Sequence, residues 1–305
     1  MIRKILKWTG IVVGSLIGLL ALAFIVLYII GSAKWNRSRW NYDVPVETIT
    51  IPTNQASIAR GEHIATIRIC GYCHAETLSG QFDTVPGLIT LSFPNLTPGA
   101  GGVGATNTDK DWVRAIRHGV GHDGRGLLLM PVRLFYFVSD EDLGALIAYL
   151  KSLPPVDNEL PRTNAAPLGR VMLALGQLPS EATLPDVTMI DHNGPRPIAP
   201  EPGVTVEYGK YLALTCTLCH GANLNGQIVS KGGPNKYLAP NLTPGGEVHF
   251  WSEAQFMETL RTGVTPSGHH LIDVMPWKYF GQMTEDELRA VWMYLQSLPA
   301  LPQGK

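Results

Sequence analysis

The chain has 305 residues, 45% of them hydrophobic and 16% charged, with a formal net charge of −1. That is enough apolar material for about two domains with real cores, and four cysteines are too few for a disulfide scaffold of this size. With 32 glycines and 23 prolines, many turns and long connections between helices are expected.

Residues 9–33 carry no charge, and Ile11 to Ile30 is the run of about twenty apolar residues that a helix needs to cross a bilayer. Arg3, Lys4 and Lys7 precede it, and Trp35, Trp40 and Tyr42 follow at the level expected of a membrane interface. Lys34, Arg37 and Arg39 also follow, so charge bias does not orient the helix. A cleaved signal peptide is the competing reading, with Gly31 and Ala33 as its small residues. Signal sequences usually have apolar cores of about 7–15 residues, however, and this one is longer. The expectation is an uncleaved anchor over 1–33 and a linker over 34–56. Beyond position 33 the chain keeps 21 basic residues against 25 acidic, a net −4. Such a balance argues against a nucleic-acid partner.

The rest is a duplication. "CGYCH" at 70–74 recurs as "CTLCH" at 216–220, "LSGQ" at 78–81 as "LNGQ" at 224–227, and "PNLTPG" at 94–99 unchanged at 240–245, all at an offset of 146. "IRHGV" at 116–120 matches "LRTGV" at 260–264, and "MP" at 130–131 matches "MP" at 275–276. "SDEDLGALIAYLKSLPP" at 139–155 matches "TEDELRAVWMYLQSLPA" at 284–300. The pattern defines one domain over 57–155 and another over 205–305.

Caps place the helices. A short helix is expected through Gly61–Ile69 and another through Gly209–Thr215, each running directly into a cysteine motif. Thr108 caps "DKDWVRAIR", Ser252 with Gln255 caps "FMETLR", and Ser139 and Thr284 (with Glu287) cap the last helix of each copy. No stretch shows sustained period-two alternation, so the expected fold class is all-α, roughly three main helices per repeat with long loops. Residues 154–202 contain ten prolines. With a short helix at 168–178 they make a connector over 156–204 that packs on the domains.

Cys-x-x-Cys serves zinc, disulfide and haem chemistry alike. A zinc ribbon brings its two pairs together about 15–20 residues apart, whereas a whole domain separates these. Adjacent Cys and His side chains on a helix also diverge by about 100° and cannot easily share one tetrahedral metal. A redox disulfide needs no His after the second Cys, yet His74 and His220 both stand there. Covalent haem uses every residue: Cys70 with Cys73, and Cys216 with Cys219, for thioethers, and His74 and His220 for iron. Two covalently bound haem c groups are therefore expected. Met130 lies 56 residues after His74 and Met275 lies 55 after His220, each followed by Pro, which makes them the natural second iron ligands. His118, His122, His269 and His270 are competitors without counterparts in register.

On these residues ("CGYCHA", "PNLTPG", "MP", "LIAYLKSLPP" and their second copies) the chain resembles membrane-anchored di-haem members of the class I c-type cytochromes. Among these it is most similar in pattern to the cytochrome subunits of periplasmic alcohol and sugar dehydrogenases. The resemblance implies that Pro94 and Pro240 present their carbonyls to Nδ1 of His74 and His220. It further implies that Arg117 and Arg261 lie near haem propionates. Those subunits commonly carry three haems, whereas this chain has two motifs. The implied role is a carrier of single electrons on the periplasmic side of the bacterial cytoplasmic membrane. A quinol-oxidising complex, a terminal oxidase or a periplasmic dehydrogenase would be its partner. The enzyme alternative, a di-haem peroxidase, requires one haem with a displaceable or missing Met, and a thiosulfate-oxidising type would want a spare cysteine that the chain lacks. In a third reading the chain only anchors and wires a catalytic partner.

Overall fold

A computed structural model describes residues 2–37, 40–178, 186–196, 198–230 and 236–304. Arg39, among the cations after the apolar span, and residues 179–185 of the connector lie outside them. In chain order the helices of the first half are α1 (Ile2–Arg37), α2 (Gln55–Ile67), α3 (Cys70–His74), α4 (Asp109–His118), α5 (Val132–Phe135) and α6 (Asp140–Ser152). The connector carries α7 (Pro167–Ala174). The second half has α8 (Val206–Ala213), α9 (Thr217–His220), α10 (Glu253–Thr262), α11 (Trp277–Phe280) and α12 (Glu285–Ser297).

The expected caps form. Thr108 and Asp111, Ser252 and Gln255, and Thr284 and Glu287 make reciprocal capping boxes, and Ser139 accepts from the Asp142 amide. The all-α expectation needs correcting, because the fold is mostly helical but carries two small antiparallel sheets. One contains β1 (Gln81–Val85), β2 (Ile89–Phe93) and β3 (Asn164–Ala165); the other pairs β4 (Gln227–Ser230) with β5 (Lys236–Ala239). Alternation in sequence comes from burying one face of a strand. Every residue of β1 is exposed, so no such signal was written into it.

In each repeat the first and last helices cross at a glycine. A Cβ on Gly61 would lie 2.0 Å from the Ala145 carbonyl oxygen, and one on Gly209 would lie 1.9 Å from that of Ala290. Only glycine lets the two backbones approach so closely. Ile64, Leu143, Leu146 and Ile147 pack around the first crossing, Leu212, Leu288, Val291 and Leu295 around the second. The run from this glycine to the first cysteine differs: nine residues in the first repeat, seven in the second. The surplus breaks the expected Gly61–Ile69 helix, which ends at Ile67, and Ile69 takes up the slack in a left-handed turn at φ 57°.

The two repeats meet across an approximate two-fold axis. His63, two residues after Gly61, donates from Nε2 to Glu287 of the other repeat at 2.8 Å. Tyr211, two residues after Gly209, donates to Asp142 of the first at 2.7 Å. Each acid is the third residue of its own final helix. Each also binds the residue just before its own glycine: Arg60 Nε lies 2.7 Å from Asp142, and Tyr208 donates to Glu287 at 3.3 Å. Arg68 crosses as well, donating to the Thr215 hydroxyl and the Tyr211 carbonyl at 3.0 Å. Ile67 belongs to the second core, and Leu218 packs on the first.

The far end of α1 is tied to the first repeat. Trp35, expected at a lipid interface, is instead 1% exposed, enclosed by Ile89, Ala165 and Leu173 from β2, β3 and α7. After the helix, the Tyr42 amide donates to the Gly124 carbonyl at 2.8 Å.

Candidate haem sites

The landmarks of the duplication build one loop cage twice. Leu78 and Leu224 are both buried in left-handed conformation, and this turn brings the next glycine amide (Gly80, Gly226) 2.8 Å from the carbonyl of His74 and of His220. Gln81 donates to the Tyr72 carbonyl at 2.9 Å and Gln227 to the Leu218 carbonyl at 3.0 Å, pinning the interior of each Cys-x-x-Cys turn. Asn95 and Asn241, both buried, accept from the amide and hydroxyl of Thr97 and of Thr243. Their amide nitrogens donate at 2.7 Å to Val156 and Leu301, in the chain that follows each final helix. A buried Asx turn thus fixes the preceding proline.

The Pro94 carbonyl oxygen lies 2.8 Å from Nδ1 of His74, and that of Pro240 lies 2.7 Å from Nδ1 of His220. Each carbonyl can only accept, so each Nδ1 carries the proton and each Nε2 keeps a lone pair. Burial keeps both imidazoles below the usual histidine range, only partly opposed by those bonds. The Met-Pro pairs share a geometry too. Met130 and Met275 each accept on their carbonyl from the amide two residues on, at 2.8 Å, with the intervening Pro at φ −79° and −80°. This is an inverse γ-turn, for which proline's fixed φ is suited.

A cavity of about 910 Å³ holds Cys70, Cys73, His74, Pro94 and Met130 in its wall. Cys219, Leu218, Val274 and Pro276 reach it from the second repeat, so the two cysteine motifs converge there. Tyr72 and Tyr279 meet edge to face beside them, 6.5 Å between centroids. In the second repeat His220 is buried, while Cys216 and Met275 pack on its core.

The residues fit a haem. Burial pushes the Cys70 and Cys216 thiols up to about 12. Both thiols are thus neutral before any group is attached. Two buried polar atoms in the cavity wall, Trp112 Nε1 and Asn107 Oδ1, have no hydrogen-bond partner among the described residues. A large apolar body with acceptor groups at its edge answers both the volume and the Trp112 N–H.

The arginines of the two copies differ in their surroundings. Arg117 is fully buried but engaged by Glu47, Asp140 and the Val138 carbonyl, and it does not line the cavity; Arg68, Arg125 and Arg133 do. Arg261 is exposed and makes no ion pair among the described residues. Of the competing histidines, His118 is buried between His192 and Glu47, His122 lines the cavity, and His269 and His270 are exposed. Asn95, Asn241, Gln81 and Gln227 lay inside quoted motifs, but only the fold reveals what they hold.

No known family model matches the chain. It is 26% identical over 290 residues to the fructose dehydrogenase cytochrome subunit of Gluconobacter japonicus, covering 84% of this chain and 55% of that one. Identity to the cytochrome c subunit of the quinone alcohol dehydrogenase of Gluconobacter oxydans is 28% over 289 residues, 83% of this chain and 57% of the relative. A diheme c-type cytochrome of Cereibacter sphaeroides is 28% identical over 284 residues, 82% of this chain and 88% of its own length. The chain is thus similar to cytochrome c subunits of dehydrogenases and to a diheme cytochrome c. It spans little more than half the length of the two dehydrogenase subunits.

Proposed function

From that similarity, we propose that the chain is a two-haem electron carrier built as tandem class I cytochrome c domains over 57–155 and 205–305. In this reading residues 1–33 anchor it in the bacterial cytoplasmic membrane, with both domains on the periplasmic side. The observation that carries the proposal is the placement of His74 and Met130 in the wall of one cavity with Cys70 and Cys73, the imidazole tied back through Nδ1.

Cys70 and Cys73 hold the first haem c, Cys216 and Cys219 the second. His74 with Met130, and His220 with Met275, are the iron ligands. When bound, each haem supplies a one-electron iron couple. Pro94 and Pro240 fix the tautomer and ring angle of their histidines, which preserves the Nε2 lone pair for iron. Met130 and Met275 would keep the iron from chemistry at a substrate and raise its potential, so the group they hold would supply electron exchange. Arg117 acts through its buried network, and Arg68, Arg125 and Arg133 are the cations at the first cavity's wall. Because Leu218 and Cys219 share that wall, haems held at the two motifs would be placed to exchange electrons within the chain. The donor is a quinol-oxidising complex or a periplasmic dehydrogenase and the acceptor another redox protein, such as a terminal oxidase. The dehydrogenase partner is favoured by the names of the relatives.

Near-infrared magnetic circular dichroism of the oxidised protein tests this. Two Met–ferric signals per chain are expected. One Met signal beside a high-spin or bis-His haem would overturn the carrier reading in favour of a peroxidase type.

A further inference from the structure

We propose that α7 is a bracket at the membrane surface, its exposed apolar stripe in contact with the headgroup–acyl boundary of the lipid. The inference rests on the reading of α1 as a membrane anchor.

α7 is bound to one end of α1. A Cβ on Gly31 would fall 1.7 Å from the Arg170 carbonyl oxygen, so the two helices touch backbone to backbone there. Arg170 reaches the Ser32 hydroxyl at 3.2 Å and lies over the Tyr28 ring, 5.6 Å from its centre. Lys34 donates to the Leu173 and Ala174 carbonyls at 3.2 Å, capping the C-terminal end of α7 with a cation, where the helix dipole favours one. These contacts engage the only charge on α7, that of Arg170.

The faces of α7 are unequal. Gly169, Val171 and Leu173 are buried against β2, β3 and α1. Leu168, Met172 and Leu175 recur at i, i+4 and i+7 and form one outward apolar stripe, with the two leucines 51% and 54% exposed. The stripe stands on a helix bound to α1, whose apolar residues from Ile11 to Ile30 are exposed or half-buried. Twenty residues at about 1.5 Å each span about 30 Å, the hydrocarbon thickness. α7 meets α1 at Tyr28, Gly31, Ser32 and Lys34, the last turns of that span and the first beyond it. An exposed apolar stripe beside the end of an apolar span lies at the height of the headgroup–acyl boundary.

The test is spin-label accessibility of the full-length holoprotein in phosphatidylcholine–phosphatidylglycerol nanodiscs. Single cysteines replace Leu20, Leu168, Leu175 and the exposed Phe250, and haem content checks folding of each variant. Oxygen should be favoured over a water-soluble nickel chelate at Leu20, Leu168 and Leu175, several-fold relative to Phe250. If positions 168 and 175 behave like 250 while 20 reports lipid, the bracket falls and the anchor stands. Protection of 168 and 175 from both probes would mean that another protein covers the stripe, which overturns a lipid occupant. A label at 20 that favours the chelate would sink the anchor and the bracket together.

Discussion

The two repeats share a cage and differ in what surrounds it. Both place His under a proline carbonyl, Met before an inverse γ-turn and glycine at the helix crossing. At the end of α4, however, Arg117 and His118 are buried in a network with Glu47, Asp140, His192 and Arg196. Burial opposes the charge on Glu47, but hydrogen bonds from His118 and Arg117 bring its pKa down to about 2. The matching end of α10 presents Arg261 and Thr262 to solvent. The first cage is also braced from outside, because the 121–126 loop in its wall pairs with the segment after α1. Duplication preserved the cage, and the first copy recruited the N-terminal side of the chain as additional support.

The largest expected effect breaks this contrast directly. Arg117→Gln leaves Glu47 and Asp140 without their buried cation and should destabilise the first repeat by about 3–5 kcal/mol, the usual cost of removing one partner of a buried pair. Arg261→Gln, a surface change, should move stability by less than about 0.5 kcal/mol. Urea unfolding of the holoprotein measures both, and equal losses would show that the networks do not distinguish the repeats. Gly61→Ala and Gly209→Ala probe what the repeats share. Each forces the crossing apart, and each should cost about 3 kcal/mol with similar size in both copies.

At the ligands the comparison turns to electronics. Met130→Ala and Met275→Ala should each remove one of two Met–ferric signals and lower one of two potentials. The first should change less in its surroundings, because its loop is braced. Redox titration of each variant separates the two sites, and a single variant that lost both signals would show that the sites are not independent.

The sequence carried the candidate ligands in spaced single residues and left the scaffold partly hidden. Cys, His and Met are single residues whose spacing carries meaning, and the caps at Ser139, Ser252 and Thr284 depend on local strings. The hairpins were invisible because β1 buries no face. Arg117 and Arg261 look equivalent in the alignment of the copies, yet Arg117 finds Glu47, a residue outside the shared motifs, besides Asp140, while Arg261 faces solvent although Glu285 matches Asp140. Trp35 reads as an interface aromatic until α7, more than 130 residues on, folds over it.

The interface between the repeats yields the smallest and most specific predictions. Its two halves are matched in position but not in chemistry. Burial lifts Tyr211 to about 12, so its bond to Asp142 does not titrate near neutrality. Tyr211→Phe should therefore cost about 2 kcal/mol with no pH dependence in that range, as for a hydrogen bond to a charged group. The other half titrates. The bond to Glu287 raises His63 above its ordinary 6.5 despite opposing burial. Burial pushes Glu287 up, but bonds from His63 and the Thr284 amide more than offset it, leaving it below 4.5. The raised histidine contributes stability that is complete below pH 6.5 and is lost as pH rises through its folded value. The lowered carboxylate contributes stability present above pH 4.5 and lost as pH falls through its folded value. This half of the interface is thus strongest between those limits. Partial exposure of His63 screens the pair, so the whole effect should stay below about 1 kcal/mol. His63→Gln should flatten the dependence above pH 6.5 while leaving that of Tyr211→Phe unchanged, and an unaltered pH profile in His63→Gln would place the titrating group elsewhere.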